Sequence, residues 1–430
     1  MPSRSPGARG PSIAVPPRGR PRTAPATAVA PRAGRDGTGG RGTPGDAPGG
    51  PGGGGRRGRW YHRPVRVLYL ADRLSVRGGA DRHLLQVMGW AAAAGHAVTV
   101  AVGRVERGVT PPSGARTVTV RGLGAAVPSR SRLGRLPDLL AAADLVHVQN
   151  VMNPVALEAA VATGRAVVTV QDHRLFCPGP GRTLPDGSRC RERMSETACS
   201  RCLPDPAYRA RTLALVRRRL AAVRRARAVV VLSRYMADEL AAAGLPGAEV
   251  IPPWVEAGAP RRAPGTTFLL GGRLVRHKAP LDAVRAWERA GRPLPLEVAG
   301  EGPLEADLSG ATRLGWLETE RLRWALRRAR ALLFPAFWQE PFGILGVEAL
   351  AEGTPVIVAD AGGTREWSEA GCLRVPAGDV AAMAAAIRRL VGRPGLALEL
   401  GEAGRRWVAE RLARGRLAPR LRALYRRVMS

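Results

Sequence analysis

The chain has 430 residues, a formal net charge of +32 at pH 7 and only 4% aromatic residues. The length suggests two or three domains, and no stretch approaches the roughly 20 apolar residues of a membrane span. The charge is spread over the whole chain without a recognised nucleic-acid motif; this argues against a specific nucleic acid and leaves attraction to an anionic membrane surface open.

Residues 1–62 are low-complexity, with GGPGGGG at 49–55. Such a segment cannot bury enough surface to offset chain entropy and is expected to be disordered. It has no apolar signal-peptide core, so the expectation is a cytoplasmic protein, with the inner membrane face open to it. From Arg63 the texture changes. VRVLYLA (65–71) reads as a buried strand, residues 78–95 as a glycine turn and a helix ending at a glycine, and HAVTVAV (96–102) as the next strand. Further strands are expected at 145–149, 166–171 and 228–233, with helical stretches between them. The pattern pauses in a Pro-rich linker at 251–266. It resumes with strands at 267–274, 296–300, 331–335, 354–360 and 372–376. Alternating apolar strands and helices mean parallel sheets covered on both faces. The expected organisation is an N-terminal domain over 63–255, a second over 256–410 and a C-terminal helix over 411–430. Ligands in such sheets bind at the carboxyl ends of the strands.

Arginine has almost wholly replaced lysine, the pattern of a GC-rich genome, and Lys278 is the only lysine in the chain. An ammonium is a compact point charge that a planar guanidinium does not imitate. Lys278 is either a relic of drift or a site where that shape matters.

The richest stretch is FPAFWQEPFGILGVEALAEGTPVIVADAGGTREW (334–367). Glu340 and Glu348 lie about two helical turns apart, so both can face one side of a helix beginning near Phe342. The amides of Phe342, Gly343 and Ile344 would then stand at a helix N-terminus, a ready anion site. Two carboxylates flanking free amides suit a nucleotide sugar: one acid for sugar hydroxyls, amides for sugar or phosphate, one acid for ribose. A solvated helix face is the bland alternative for the acids, as a simple turn is for Gly78-Gly79.

EPFGILGVE (340–348) resembles the E-x7-E signature of family 4 retaining glycosyltransferases. GGRLVRHKAP (271–280) resembles the G-R-L-x-x-x-K-G segment of the same family, with Ala279 where glycine is usual. VAGEGP (298–303), LGWL (314–317) and ADAGGTREW (359–367) follow in the family's order, and the resemblance spans roughly residues 64–410. It implies the GT-B fold: two doubly wound Rossmann-like α/β domains facing a cleft, acceptor side first and donor side second. It implies Arg273 and Lys278 on the donor diphosphate, Glu340 on the sugar, Glu348 on ribose and Gly302 among the donor-binding positions. Gly78 and Gly79 would let the backbone approach the phosphates.

The resemblance also implies a hexose-type sugar moved from a nucleotide-diphosphate donor to a carbohydrate or lipid-linked acceptor hydroxyl with retention, in cell-surface polysaccharide or glycoconjugate synthesis. No D-x-D is present to hold a catalytic metal, so basic residues and helix N-termini would neutralise the leaving group. The family often carries a histidine after a first-domain strand; here Gln171 stands there, beside Asp172. His147, at another strand end, is a cleft candidate or a packing residue.

Cys177, Cys190, Cys199 and Cys202, spaced C-x12-C-x8-C-x2-C within loop 172–204, end in a metal-knuckle spacing. Four thiolates on a structural Zn2+ is the leading reading, with an iron–sulfur cluster or free thiols as alternatives. The basic stretch 211–227 carries an apolar stripe at Leu213, Val216, Leu220 and Val223. Arg217, Arg218, Arg219, Arg224, Arg225 and Arg227 are expected on the remaining surface, either solvated or facing anionic lipid. Rival readings are a nucleotide-sugar epimerase of the same fold and a zinc-containing, basic nucleic-acid-binding protein.

Overall fold

The computed structural model describes residues 64–128 and 133–430; the segment expected to be disordered at 1–62 lies outside the described residues. The first lobe runs β1 (Arg66–Ala71), α1 (Gly79–Ala93), β2 (Ala97–Val102), β3 (Ala115–Thr119), α2 (Leu136–Ala142), β4 (Leu145–Gln149), α3 (Pro154–Ala162), β5 (Ala166–Val170), α4 (Glu196–Cys199), α5 (Pro206–Arg224), β6 (Ala228–Val231), α6 (Arg234–Ala242) and β7 (Glu249–Val250). Its sheet order is β3-β2-β1-β4-β5-β6-β7, every pair parallel.

The second lobe runs β8 (Thr267–Gly271), α7 (Pro280–Arg289), β9 (Leu296–Ala299), β10 (Thr312–Gly315), α8 (Thr319–Arg328), β11 (Ala329–Phe334), α9 (Ile344–Ala351), β12 (Val356–Ala359), β13 (Cys372–Val375), α10 (Val380–Gly392) and α11 (Pro394–Arg411). It forms a second parallel sheet, β10-β9-β8-β11-β12-β13. The strand order reverses at β1/β4 and at β8/β11. These are the crevices where doubly wound sheets open for ligands.

Successive strand residues face opposite layers, as the period of two requires. Val67 and Tyr69 of β1 join a core that continues into the second lobe through Trp254, Leu269 and Leu332. Leu68 and Leu70 face a separate core under α3, α5 and α6, and Phe268 and Leu270 of β8 face one under α7 and α10. The Pro-rich stretch between the lobes is packed: Trp254 is buried against Trp90, and its carbonyl accepts from Gln86 at 2.7 Å. The last helix, α12 (Arg414–Met429), returns to the first lobe and joins its core through Leu417, Leu421, Leu424 and Tyr425.

Two expectations are corrected here. Arg219 is not on the surface of α5. It is buried, donating to the carbonyls of Met152 at 2.7 Å and Ala126 at 2.6 Å, a satisfied arginine that ties the helix to two loops. His147 is not a cleft residue either. Its ring is buried between Tyr425 Oη and Thr169 Oγ1, each 2.6 Å away, because β4 ends beneath α12.

Burial pulls His147 down to about 3, and His83 and His173 to about 4. The folded values lie below the ordinary value near 6.5. The unfolded chain therefore takes up protons first as pH falls, and stability is complete above about 6.5 and lost on the way to 4. Each such histidine contributes a slope of about 1.4 kcal/mol per pH unit within its window. Thermal melts between pH 7.5 and 4.5 should show a falling Tm, less steep in His147→Gln; an unchanged slope in that variant would count against this assignment.

Candidate functional site

The two lobes enclose a cleft of about 670 Å3, within the size range of small-ligand sites. Its wall is made of segments leaving the strand ends. Ala71-Asp72-Arg73 follows β1, Asn150 follows β4, Gln171-Asp172 follows β5, Gly271-Gly272-Arg273 follows β8, and Phe334 closes β11.

On the second-lobe side the chain leaves β8, makes one 3-10 turn over Arg276–Lys278, and enters α7 through Ala279 at φ 50°. That left-handed conformation is one that glycine adopts without strain and alanine does not. The turn aims Lys278 into the cleft, where Nζ donates to Glu340 Oε2 at 2.5 Å and lies 4.8 Å from the Trp338 ring centre. The Trp338 indole donates to the same carboxylate oxygen at 2.6 Å.

The Glu340 backbone is fixed from behind by the loop Ala361-Gly362-Gly363. Gly363 N donates to Glu340 O at 2.7 Å, and Gly362 sits at φ +64° where a Cβ would meet Glu340 O at 2.5 Å. Trp367, fully buried, donates its indole N–H to Phe342 O at 2.6 Å. Gly343 is left-handed, so α9 starts at Ile344, two residues later than expected, and its first amides are those of Ile344 and Leu345. Phe342, Gly343 and Ile344 all line the cleft.

Glu348 lies on α9 but outside the cleft lining, and its carboxylate accepts from Arg82 of α1 across the lobes at 2.8 Å. Burial pushes its carboxyl up, against the pull of Arg82. Gly302 is also off the cleft surface, packed where a Cβ would meet the Leu274 carbonyl at 2.4 Å.

From the first lobe, Gly78 and Gly79 line the cleft, and a Cβ on Gly79 would stand 3.0 Å from Ile344 Cδ1. Gln171 is oriented at both ends: Oε1 accepts from Asn150 at 2.7 Å and Nε2 donates to His83 Nδ1 at 2.7 Å. Asp172 pairs with Arg174 at 2.8 Å. Burial pushes Asp172 up, but Arg174 outweighs this and the net shift is down.

Sequence reasoning missed Asp72, Asn150, Arg82 and Trp338. Burial pushes Asp72 up to about 6, although its carboxylate accepts from Met152 N. Arg82 and Trp338 carried a signal: each stands within a few residues of a recognised motif, GGADR and WQE.

The four loop cysteines line one small cavity of about 20 Å3 with Thr183 and Arg182. Burial pushes the thiols of Cys199 and Cys202 up. Among the described residues, no three His, Cys, Asp or Glu side chains are grouped so as to hold a metal ion. No described helix is long and apolar enough to cross a membrane.

Comparison with known proteins agrees with this geometry. Residues 77–258 match the family model described as Glycosyltransferase Family 4, and residues 265–393 match that described as Glycosyl transferases group 1. The glycogen synthase of Mycobacterium tuberculosis is 34% identical over 162 residues, 34% of this chain and 38% of that protein. The 2-deoxystreptamine glucosyltransferase of Streptomyces kanamyceticus is 29% identical over 173 residues, 37% of this chain and 44% of that protein. The aligned segments thus span less than half of these curated relatives. Among solved structures, Anabaena HepE in complex with UDP-glucose has a TM-score of 0.62 at 15% identity, covering 84% of this chain and 100% of that one. Sucrose-phosphate synthase of Thermosynechococcus elongatus has a TM-score of 0.61 at 20% identity, covering 85% and 99%.

The two parallel-sheet lobes around one cleft have the GT-B fold. With the two family matches, one in each lobe, the chain is of the family 4 glycosyltransferase type.

Proposed function

We propose that this protein moves a hexose-type sugar from a nucleoside-diphosphate sugar to an acceptor hydroxyl, with retention at the anomeric carbon. The observation that carries the reading is the convergence of Lys278, Arg273, Glu340 and the N-terminus of α9 on one cleft wall. Cations and oriented amides at that point stabilise negative charge developing on a departing diphosphate. Glu340 would exchange part of its Lys278 contact for sugar hydroxyls, leaving the ammonium to the phosphate. Glu348 would take the ribose and Arg82 would then be released toward the phosphates. The acceptor would enter from the first-lobe side and lose its proton to the leaving phosphate during front-face attack. Relatives whose names include glycogen synthase and a glucosyltransferase support the donor class, and HepE binds UDP-glucose.

A thermal-shift screen with UDP-, GDP- and ADP-sugars tests this directly, because a ligand that binds only the folded state raises Tm. No shift with any of them would remove the donor-site reading. Conversion of the bound donor to another sugar without an acceptor would favour an epimerase instead.

The cysteine loop supports a structural zinc through its C-x2-C end and the lining of one cavity by all four cysteines; binding would have to draw their side chains closer together than they stand here. Thiolate ligation would require those thiols to lose their protons on binding. Purified protein should carry about one zinc per chain, and Cys202→Ser should release it. Elemental analysis finding iron with labile sulfide, or no metal in freshly reduced protein, would overturn this.

Arg217, Arg224, Arg225 and Arg227 remain exposed near the end of α5 and support docking on anionic lipid. Co-sedimentation with anionic vesicles should weaken when these four become glutamine; equal binding would leave α5 as a sheet cover only.

A further inference from the structure

Loop 177–202 reaches across the cleft mouth to the segment that carries Glu340. The Thr183 hydroxyl accepts the backbone N–H of Gln339 at 3.1 Å, directly beside Glu340 in the chain. Gly181, at φ +71°, lies flat against Trp338, where a Cβ would meet the indole at 3.0 Å. His173 packs edge-on against the same ring with centroids 5.9 Å apart, and His277 covers it at 4.6 Å.

The loop itself is anchored. Arg182 and Arg189 both donate to Glu239 at 2.5 Å, and that carboxylate is 1% exposed on α6. The Cys202 thiol donates to Thr183 O at 4.0 Å, and Cys190 N donates to Arg182 O at 2.8 Å. Contacts therefore run from the cysteine cavity through Thr183 to Gln339 and Trp338, and the Trp338 indole N–H ends on Glu340 Oε2.

We propose that Trp338 is a positioning residue for Glu340, and that the cysteine-bearing loop, through Thr183 and Gly181, holds Trp338 in place. The inference rests on the nucleotide-sugar reading above. Lys278 alone could let the Glu340 carboxylate swing toward its own ammonium. A second, neutral donor from a fixed ring sets the orientation of the free lone pairs and leaves Oε1 directed at the sugar. A planar indole held between two imidazoles has little freedom of its own, so its N–H direction is preorganised. The loop thus acts on the sugar end of the donor and not on its nucleotide end.

The test separates ring from N–H and hydroxyl from methyl, using the full chain and whichever UDP, GDP or ADP sugar stabilises it, beside the matching bare nucleotide. Trp338→Phe keeps the ring and loses the donor. Calorimetry should show bare-nucleotide Kd within about twofold of wild type, with the nucleotide sugar weakened about tenfold, the scale of a lost bond to a charged group. Thr183→Val should show the same split in milder form, and Thr183→Ser, which keeps the hydroxyl, should restore it. Trp338→Phe binding the nucleotide sugar as wild type does, or Thr183→Val matching Thr183→Ser, overturns the inference while the donor site stands. Wild-type protein that binds none of the donors overturns the proposed function and this inference with it.

Discussion

Lys278→Ala should lower turnover at saturating donor by the equivalent of about 2–4 kcal/mol, the scale of removing one preorganised charge contact from a transition state. The lysine stands in a confined place, with its ammonium on Glu340 and over the face of Trp338. Lys278→Arg should also fail to restore the rate. A guanidinium is wider, binds carboxylates side-on through two N–H groups, and would take up both oxygens of Glu340, including the one left for the sugar. Steady-state rates decide this: near wild-type turnover in both variants would mean that the only lysine of the chain is an accident of composition.

Glu348→Ala and Glu340→Ala should fail in different ways. Glu348 lies toward the first lobe on Arg82, away from the Lys278 cluster, so its loss should weaken bare nucleotide diphosphate. It should also leave a partly buried guanidinium unpaired, at a cost of about 1–3 kcal/mol in stability. Glu340→Ala should leave bare-nucleotide affinity near wild type and remove most of the transfer. Calorimetry with nucleotide alone, set beside turnover with the full donor, resolves the two. Equal loss of nucleotide affinity in both would refute the division of labour between sugar and ribose.

The sequence made the central strands legible because each is a short apolar run buried on both faces. Strand β4 falls at 145–149 as expected, and β8, β9 and β12 lie within the expected segments. The edge strands β3 and β10 were missed. ARTVT and TRLG are half exposed and carry charges, so no apolar run marks them. Lys278 and Glu340 were readable from local motifs, and the structure puts them in one ion pair. The Arg82–Glu348 pair was not, because it joins residues far apart in the chain and depends on how the lobes close. For His147, left open between cleft and packing, the packing reading holds for a related reason: a strand end opens to a cleft only where no later element covers it, and here α12 does. Arg219 shows the same limit. An arginine among arginines looks solvated until two distant carbonyls are found to face it.

The return of α12 bears on how the chain comes to be folded. Tyr425 Oη is 3.1 Å from Tyr69 Oη of β1 and 2.6 Å from His147 Nδ1 of β4. The first-lobe sheet is therefore sealed by residues made more than 350 positions after its first strand. The last strand of that sheet ends at Val250, so at about 5–20 residues per second the finished sheet spends on the order of ten seconds or more with one apolar flank uncovered. The first lobe accordingly reaches its native packing only once α12 has left the ribosome.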